Sequence, residues 1–243
     1  MKSFSPEGHI EKNEGDNQEE KIEKLFGRSL KISSIEDGDA IPVGGHRFSN
    51  EVDTMMECDF GELEEFYKKA EEGVEQLTDE VRLDKLRQWL EENDTNINPE
   101  LFAKLAAFNQ VYEHEFKQET DENEEQRRDL YLSDDKKEAK LSDILQKSSP
   151  KCAEIAALAQ HFLQEENIQS TYINGDILRD EEIEFSSDHS YLIIEDDDKK
   201  YIYDPSNPLS SDSGPMPSVF STEANFEEEI TKGEKCLVHA ENI

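Results

Sequence analysis

Apolar positions along the chain fall into two regimes. From about residue 60 to about residue 165 they recur every three or four positions, the period of a helix with one buried face. Beyond that they recur every second position, the period of a strand. In the first regime, Leu63, Phe66, Tyr67, Ala70, Val74 and Leu77 mark one helix. Leu83, Leu86, Trp89 and Leu90 mark a second, with Thr78 as its expected N-cap and Asp79 and Glu80 in its first turn. A third opens on Asn98 and Pro99 and carries Leu101, Leu105, Phe108, Tyr112 and Phe116. All three stripes read as core. A short helix is expected near residues 141–145. The strongest helical signal is SSPKCAEIAALAQHFLQEEN, with Ser149 as N-cap, Pro150 at the first helical position and a stripe of Ile155, Leu158, Ala159, Phe162 and Leu163.

In the second regime IQSTYING reads as a strand ending at Gly175, DHSYLIIE as a second and KKYIYDP as a third, the last two joined by a turn at 196–198. NPLSSDSGPMPS reads as a Pro/Ser/Gly loop, TEANFEEEI as a short acidic helix and KCLVHA as a final strand. Residues 1–28 are polar and read as a mobile tail, and residues 29–50 as one short strand and a loop around Pro42 and the Gly44, Gly45 pair. The charge run ETDENEEQRRD (119–129) reads as a solvated helix end or linker. Helices followed by an antiparallel sheet make an α+β protein.

Charge narrows the partners. The 243 residues carry 60 Asp and Glu against 26 Lys and Arg, a formal net charge of −34. Such a chain repels phosphate and anionic membrane surfaces, so neither nucleic acid nor membrane is expected. A basic or lysine-rich protein is the electrostatic match. No run of apolar residues reaches the length of a membrane span or of a signal-peptide core. The 3 cysteines, Cys58, Cys152 and Cys236, are few, odd in number and far apart, as expected of free thiols in a reducing, cytoplasmic compartment.

Three residues carry the candidate chemistry: Cys152, His189 and Asp204. If Asp196 and Asp197 form a two-residue hairpin loop, His189 lies directly opposite Asp204 on one face of the sheet. A carboxylate there would hold the ring's tautomer and stabilise imidazolium. The same register puts Ser190, Leu192, Ile194, Tyr201 and Tyr203 on the other face, ready to pack on a helix. Cys152, third in its helix by this count, has a backbone N–H with no partner in the helix and sits in the positive end of the helix dipole. That favours a thiolate and leaves a donor for an oxyanion. An imidazolium at about 4 Å is worth ~4 kcal/mol at an effective dielectric of about 20. Surface carboxylates beyond about 8 Å are screened by physiological salt, so the protein's own charge does not cancel it. The competing reading is a small core cysteine, a half-buried strand histidine and a turn-forming aspartate. Cys236 and His239 are spaced C-x-x-H, but no second ligand pair completes a metal site. No phosphate-binding glycine motif is present, and no cofactor is expected. His161 reads as a surface residue of the cysteine helix, and His9, His46 and His114 have no companions.

The run CAEIAALAQHFLQEENIQSTYING resembles the core of the transglutaminase-like superfamily, in which a cysteine opens a helix of the type C-x-E-x-A-x-L. DHSYLII resembles that family's histidine strand and YIYDP its aspartate strand, so the resemblance spans residues 149–206. It departs from the family at Ala153, where an aromatic is common, and at Tyr191, where Trp is common. The resemblance implies a papain-like core over 149–243 with its antiparallel sheet packed on the nucleophile helix, preceded by a helical region over 51–148 and the segment 1–50. It implies Cys152 as nucleophile, His189 as general base, Asp204 as its orienting partner and Gln146 as an oxyanion donor. It implies acyl transfer on a protein amide through a thioester, giving glutamine deamidation or transamidation. A cysteine protease with the same triad and an inactive acidic adaptor for basic proteins are the alternatives. The small core, the helical region and the acidic surface also resemble bacterial effectors of this superfamily. That resemblance implies delivery into a host cell without a cleaved signal peptide, and the acidic run at 227–229 resembles part of a secretion signal.

Overall fold

The structure, a computed structural model, describes residues 30–43, 54–92, 96–116, 120–132, 138–178, 186–196, 199–211, 214–221 and 236–237. The expectations for residues 1–28, for the Gly44, Gly45 loop and for the acidic helix near 227–229 lie outside these residues, as do His9, His46 and His239.

The protein is α+β. Among the described residues its main sheet has 6 strands. Five of them run in the order β1 (Leu30–Ile32), β5 (Ser170–Leu178), β6 (Ser186–Asp196), β7 (Lys199–Ser211) and β8 (Gly214–Ser221), all antiparallel. The sixth, β9 (Cys236–Leu237), runs parallel to the end of β5. A second sheet of 3 strands joins β2 (Ala40–Pro42), β3 (Met55–Glu57) and β4 (Glu138–Lys140). The six helices of the described residues are α1 (Glu64–Leu77), α2 (Glu80–Glu92), α3 (Pro99–Glu115), α4 (Asp121–Leu132), α5 (Leu141–Lys147) and α6 (Cys152–Glu165). None is long and apolar enough to cross a membrane.

α6 lies across β5, β6 and β7. Its Ile155, Leu158, Ala159, Phe162 and Leu163 share one core with Tyr172, Leu192, Ile194, Tyr201 and Tyr203, the sheet face that alternation predicts. Ile173, Tyr191, Ile193 and Ile202, on alternate positions, are also buried. α1 packs on α3 at close range, where a Cβ on Gly73 would come 3.4 Å from Ala107 Cβ. α3 in turn packs on β8. Phe66, Phe108 and Phe162 form one ring cluster, so the helical region and the sheet share a continuous core.

Several sequence expectations need correction. The β6 and β7 strands pair Asp196 with Lys199 and Leu192 with Tyr203, two residues out of the expected register. A shift of two keeps each side chain on its face, so the buried set survives. β5 runs past Gly175 to Leu178, and residues 29–50 supply two strands. The Pro/Ser/Gly segment after residue 206 is a hairpin of β7 and β8 with Gly214 at φ +107°. Pro215 and Pro217 are tolerated because β8 is the last strand in the sheet order among the described residues, where missing N–H groups break no inner ladder. Asp79, not Thr78, caps α2, accepting from Val81 N and Arg82 N at 3.0 and 3.1 Å, while Thr78 Oγ1 turns back to Val74 O. Asn98 caps α3 as expected, accepting from Glu100 N at 2.8 Å. The run 119–129 is largely helix α4, not a linker.

Candidate functional site

The site begins at the first residue of α6. Lys151 is the N-cap, with extended backbone, and Cys152 is the first helical residue and not the third. Ser149 is buried and its N–H donates to Asn123 O at 3.3 Å, a tertiary bond that holds it out of the helix. The chemical argument is unchanged, because the first residue's N–H also has no acceptor within the helix. The Lys151 N–H donates to Glu154 Oε2 at 2.9 Å, and Ile155 N–H returns to Lys151 O at 3.1 Å. Among the described residues nothing accepts the Cys152 N–H.

His189 and Asp204 both sit where the sheet departs from regular pairing. The β5/β6 register shifts just beyond the Gly175 and His189 pair, and the β7/β8 register shifts after Asp204. Irregularities of this kind re-aim side chains away from the plain alternation. His189 Nε2 meets Asp204 Oδ2 at 2.8 Å. In the observed register the two are diagonal neighbours, not directly opposed. Asp204 is held on its own side as well: Oδ1 accepts from Ser206 N (3.1 Å) and Ser206 Oγ (2.7 Å), and Oδ2 from Asn207 Nδ2 (2.8 Å). Asn109 of α3, fully buried, brackets the aspartate. Its Nδ2 donates to Pro205 O at 3.1 Å, and its Oδ1 accepts from Tyr203 Oη at 2.8 Å.

The His189 ring and the Ser190 backbone N–H both act on the Cys152 thiol and favour its ionised form. With Nε2 engaged by Asp204, Nδ1 is the ring nitrogen left for the sulfur. Burial opposes a thiolate here, but the hydrogen bond and charge of His189, helped by Ser190 N–H, hold the thiol below its ordinary value. Burial likewise opposes imidazolium, yet Asp204 and Cys152 raise His189 to about 9. Burial would raise Asp204, but His189, Ser206 and Asn207 keep it below the usual carboxylate range. All three shifts favour a thiolate and imidazolium pair backed by a carboxylate.

The other candidates fare differently. Cys58 is buried, and burial with Asp39 and Asp59 pushes its thiol up, away from reactivity. The side chain of Cys236 lies outside the described residues. Gln146 is exposed on α5, and among the described residues it makes no hydrogen bond to the three site residues. His161 is not a plain surface residue: its ring stacks on Phe60 at 3.9 Å and lies against Tyr67. His161 Nδ1 and Tyr67 Oη are buried with no hydrogen-bond partner among the described residues. No group of side chains among the described residues is arranged to hold a metal ion.

Sequence reasoning missed the groups that hold the site. Glu154, fully buried, accepts from Arg127 Nε (2.9 Å), Arg127 Nη2 (2.5 Å) and Tyr131 Oη (2.7 Å). The available signal was positional: Asn123, Arg127 and Tyr131 recur at four-residue spacing, one face of a helix hidden inside a charge run. No family model matches the chain, and comparison with curated proteins and with solved structures finds no match.

Proposed function

We propose that the protein is a transglutaminase-like cysteine acyltransferase with a papain-like core, acting on a side-chain carboxamide of a protein substrate. The observation that carries this reading is the His189 and Asp204 pair acting on the Cys152 thiol, set at a helix start whose first N–H has no acceptor among the described residues.

The chemistry follows from those positions. The Cys152 thiolate attacks the carboxamide carbon of a glutamine, and the oxyanion that forms is stabilised by the Cys152 N–H and the dipole of α6. His189 as imidazolium gives its proton to the departing nitrogen, which leaves as ammonia and breaks the C–N bond. The thioester is then attacked by water, giving glutamate, or by a neutral lysine amine, giving an isopeptide. In either case His189 takes a proton from the attacker, and the sulfur departs as thiolate. Asp204 holds the ring and its charge throughout. A net charge of −34 supports a substrate with a basic or lysine-rich surface.

The test is the pH dependence of iodoacetamide alkylation at each cysteine, resolved by mass spectrometry, in wild type and in His189→Ala. Cys152 should alkylate fastest, with an apparent pKa well below the free value of about 8.5, and His189→Ala should remove that advantage. Ammonia release from a glutamine-containing basic protein, or incorporation of a labelled amine, should then vanish in Cys152→Ala. Peptide cleavage without ammonia release would replace this reading by a cysteine protease. An unreactive Cys152, with basic-protein binding unaffected by Cys152→Ala, would replace it by a binding adaptor.

A further inference from the structure

Beneath the nucleophile lies an ion pair that the chemistry above does not use. Arg127 from α4 and Glu154 from α6 are both buried, the glutamate completely. One carboxylate oxygen takes Arg127 Nε, Arg127 Nη2 and Tyr131 Oη. The other takes the N–H of Lys151, the residue next to Cys152. The same face of α4 reaches the approach to the helix twice more. Asn123 O accepts from Ser149 N at 3.3 Å, and Glu124 pairs with Lys151 Nζ at 2.6 Å. Burying two charges is costly, and well-packed apolar residues usually serve stability as well or better. What an apolar pair could not do is accept the Lys151 N–H.

We propose that Arg127 and Glu154 are positioning residues for the nucleophile: their buried bridge pins the N-cap of α6 to α4 and so holds the Cys152 sulfur and N–H in register with His189. This rests on the reading of Cys152 as a nucleophile. Among the described residues the charged and titratable groups around the sulfur are His189 on β6 with Asp204 behind it on β7, Tyr172 on β5, Glu154 on α6, Arg127 and Tyr131 on α4, and Lys151 next in the chain, paired with Glu124. Within this set the glutamate opposes a thiolate and the arginine favours one, so the two charges act on the sulfur in opposite directions while the pair fixes position.

The experiment measures Cys152 alkylation against pH, substrate turnover and Tm for wild type, Glu154→Gln, Arg127→Met, Arg127→Lys and the double variant Arg127→Met/Glu154→Gln. Glu154→Gln leaves the arginine unmatched, and the alkylation pKa should fall by about one unit. Arg127→Met leaves the glutamate unmatched, and the pKa should rise by a similar amount. In the double variant charge is balanced again, so the pKa should return to about that of wild type. Turnover should nevertheless stay about 10- to 100-fold down, as expected of a misplaced nucleophile. If Arg127→Met fails to fold, Arg127→Lys keeps the cation without the two-pronged contact. It should then show the wild-type pKa with reduced turnover. A folded double variant, or a folded Arg127→Lys, with wild-type turnover overturns the proposal. A wild-type Cys152 no more reactive than a free thiol overturns the functional reading itself, independently of any variant.

Discussion

Against burial, Asp204 and Cys152 both raise the proton affinity of His189, and this gives pH a definite sign. Its value in the folded protein is raised to about 9 from an ordinary 6.5. The stabilisation it brings is therefore complete below about 6.5 and lost as pH rises through about 9. Melting temperature should fall between neutral pH and pH above 9, and His189→Gln should flatten that fall in a calorimetric series. Asp204 acts at the other end: its value is lowered, so its contribution is lost as pH falls through that lowered value. His161 works against stability in acid, because burial holds its ring neutral while the unfolded chain accepts the proton. Asp204→Asn should bring the alkaline limit of turnover, set by loss of the His189 imidazolium proton, down from about 9 toward the ordinary histidine value, with turnover lowered by about tenfold or more. Asn207→Ala, which removes only one of several hydrogen bonds to that carboxylate, should do the same more weakly. The trio of Cys152, His189 and Asp204 was legible because each residue is a distinctive type at a distinctive place in a local pattern. The groups that brace it were not, because Glu154, Arg127 and Asn109 look like surface residues until tertiary contacts bury them.

At the scale of elements, the helices of residues 64–132 brace the site from two sides. α4 holds the start of α6 through Glu154, and α3 holds the β7 turn through Asn109. Asn109→Leu strands the Tyr203 hydroxyl and the Pro205 carbonyl, and should cost about 1–3 kcal/mol for each buried group left unpaired. Chemical denaturation would read that loss, and Cys152 alkylation in the same samples would show whether His189 has also lost its orientation. Asn98→Ala is the contrasting case, removing a cap far from the site and costing about 1 kcal/mol with no change in alkylation. Helix existence and caps such as Asn98 were readable because a stripe and a cap are local. Register was not, since Asp196, Asp197 and Asp198 serve equally well as turn residues and the choice falls to cross-strand packing. β8 was not, since Pro215 and Pro217 look like breakers unless the strand is known to lie at an edge.

At the scale of the whole molecule, a charge of −34 works against compactness. Raising ionic strength from about 10 mM to about 150 mM shortens the screening length from about 30 to about 8 Å. Melting temperature should rise over that range. A fall would mean that ion pairs such as Lys69 with Glu115 and Lys104 with Glu166 outweigh the repulsion. The same salt series should weaken any encounter with a basic substrate, so stability and substrate capture should respond to salt in opposite directions. This contrast was visible in the composition alone, since it needs no register and no packing.

The arrangement of strands around β5 also sets an order in time. During synthesis, the segment from Cys152 to Asp204 emerges as one contiguous stretch that can assemble α6 and the β5 to β7 meander from neighbouring pieces. The outer edge of β5 is completed from far away, first by β1, waiting since residue 30, and last by β9 at residues 236 and 237. At about 5–20 residues per second, on the order of ten seconds separates the emergence of Leu178 from that of its partner Leu237. Through that interval the nascent chain presents an open strand edge at the end of β5, near the newly formed cluster of Cys152, His189 and Asp204, the kind of edge that recruits other chains. Ribosome-stalled chains ending before residue 236 should therefore depend on chaperones, and chains that extend past Leu237 should not.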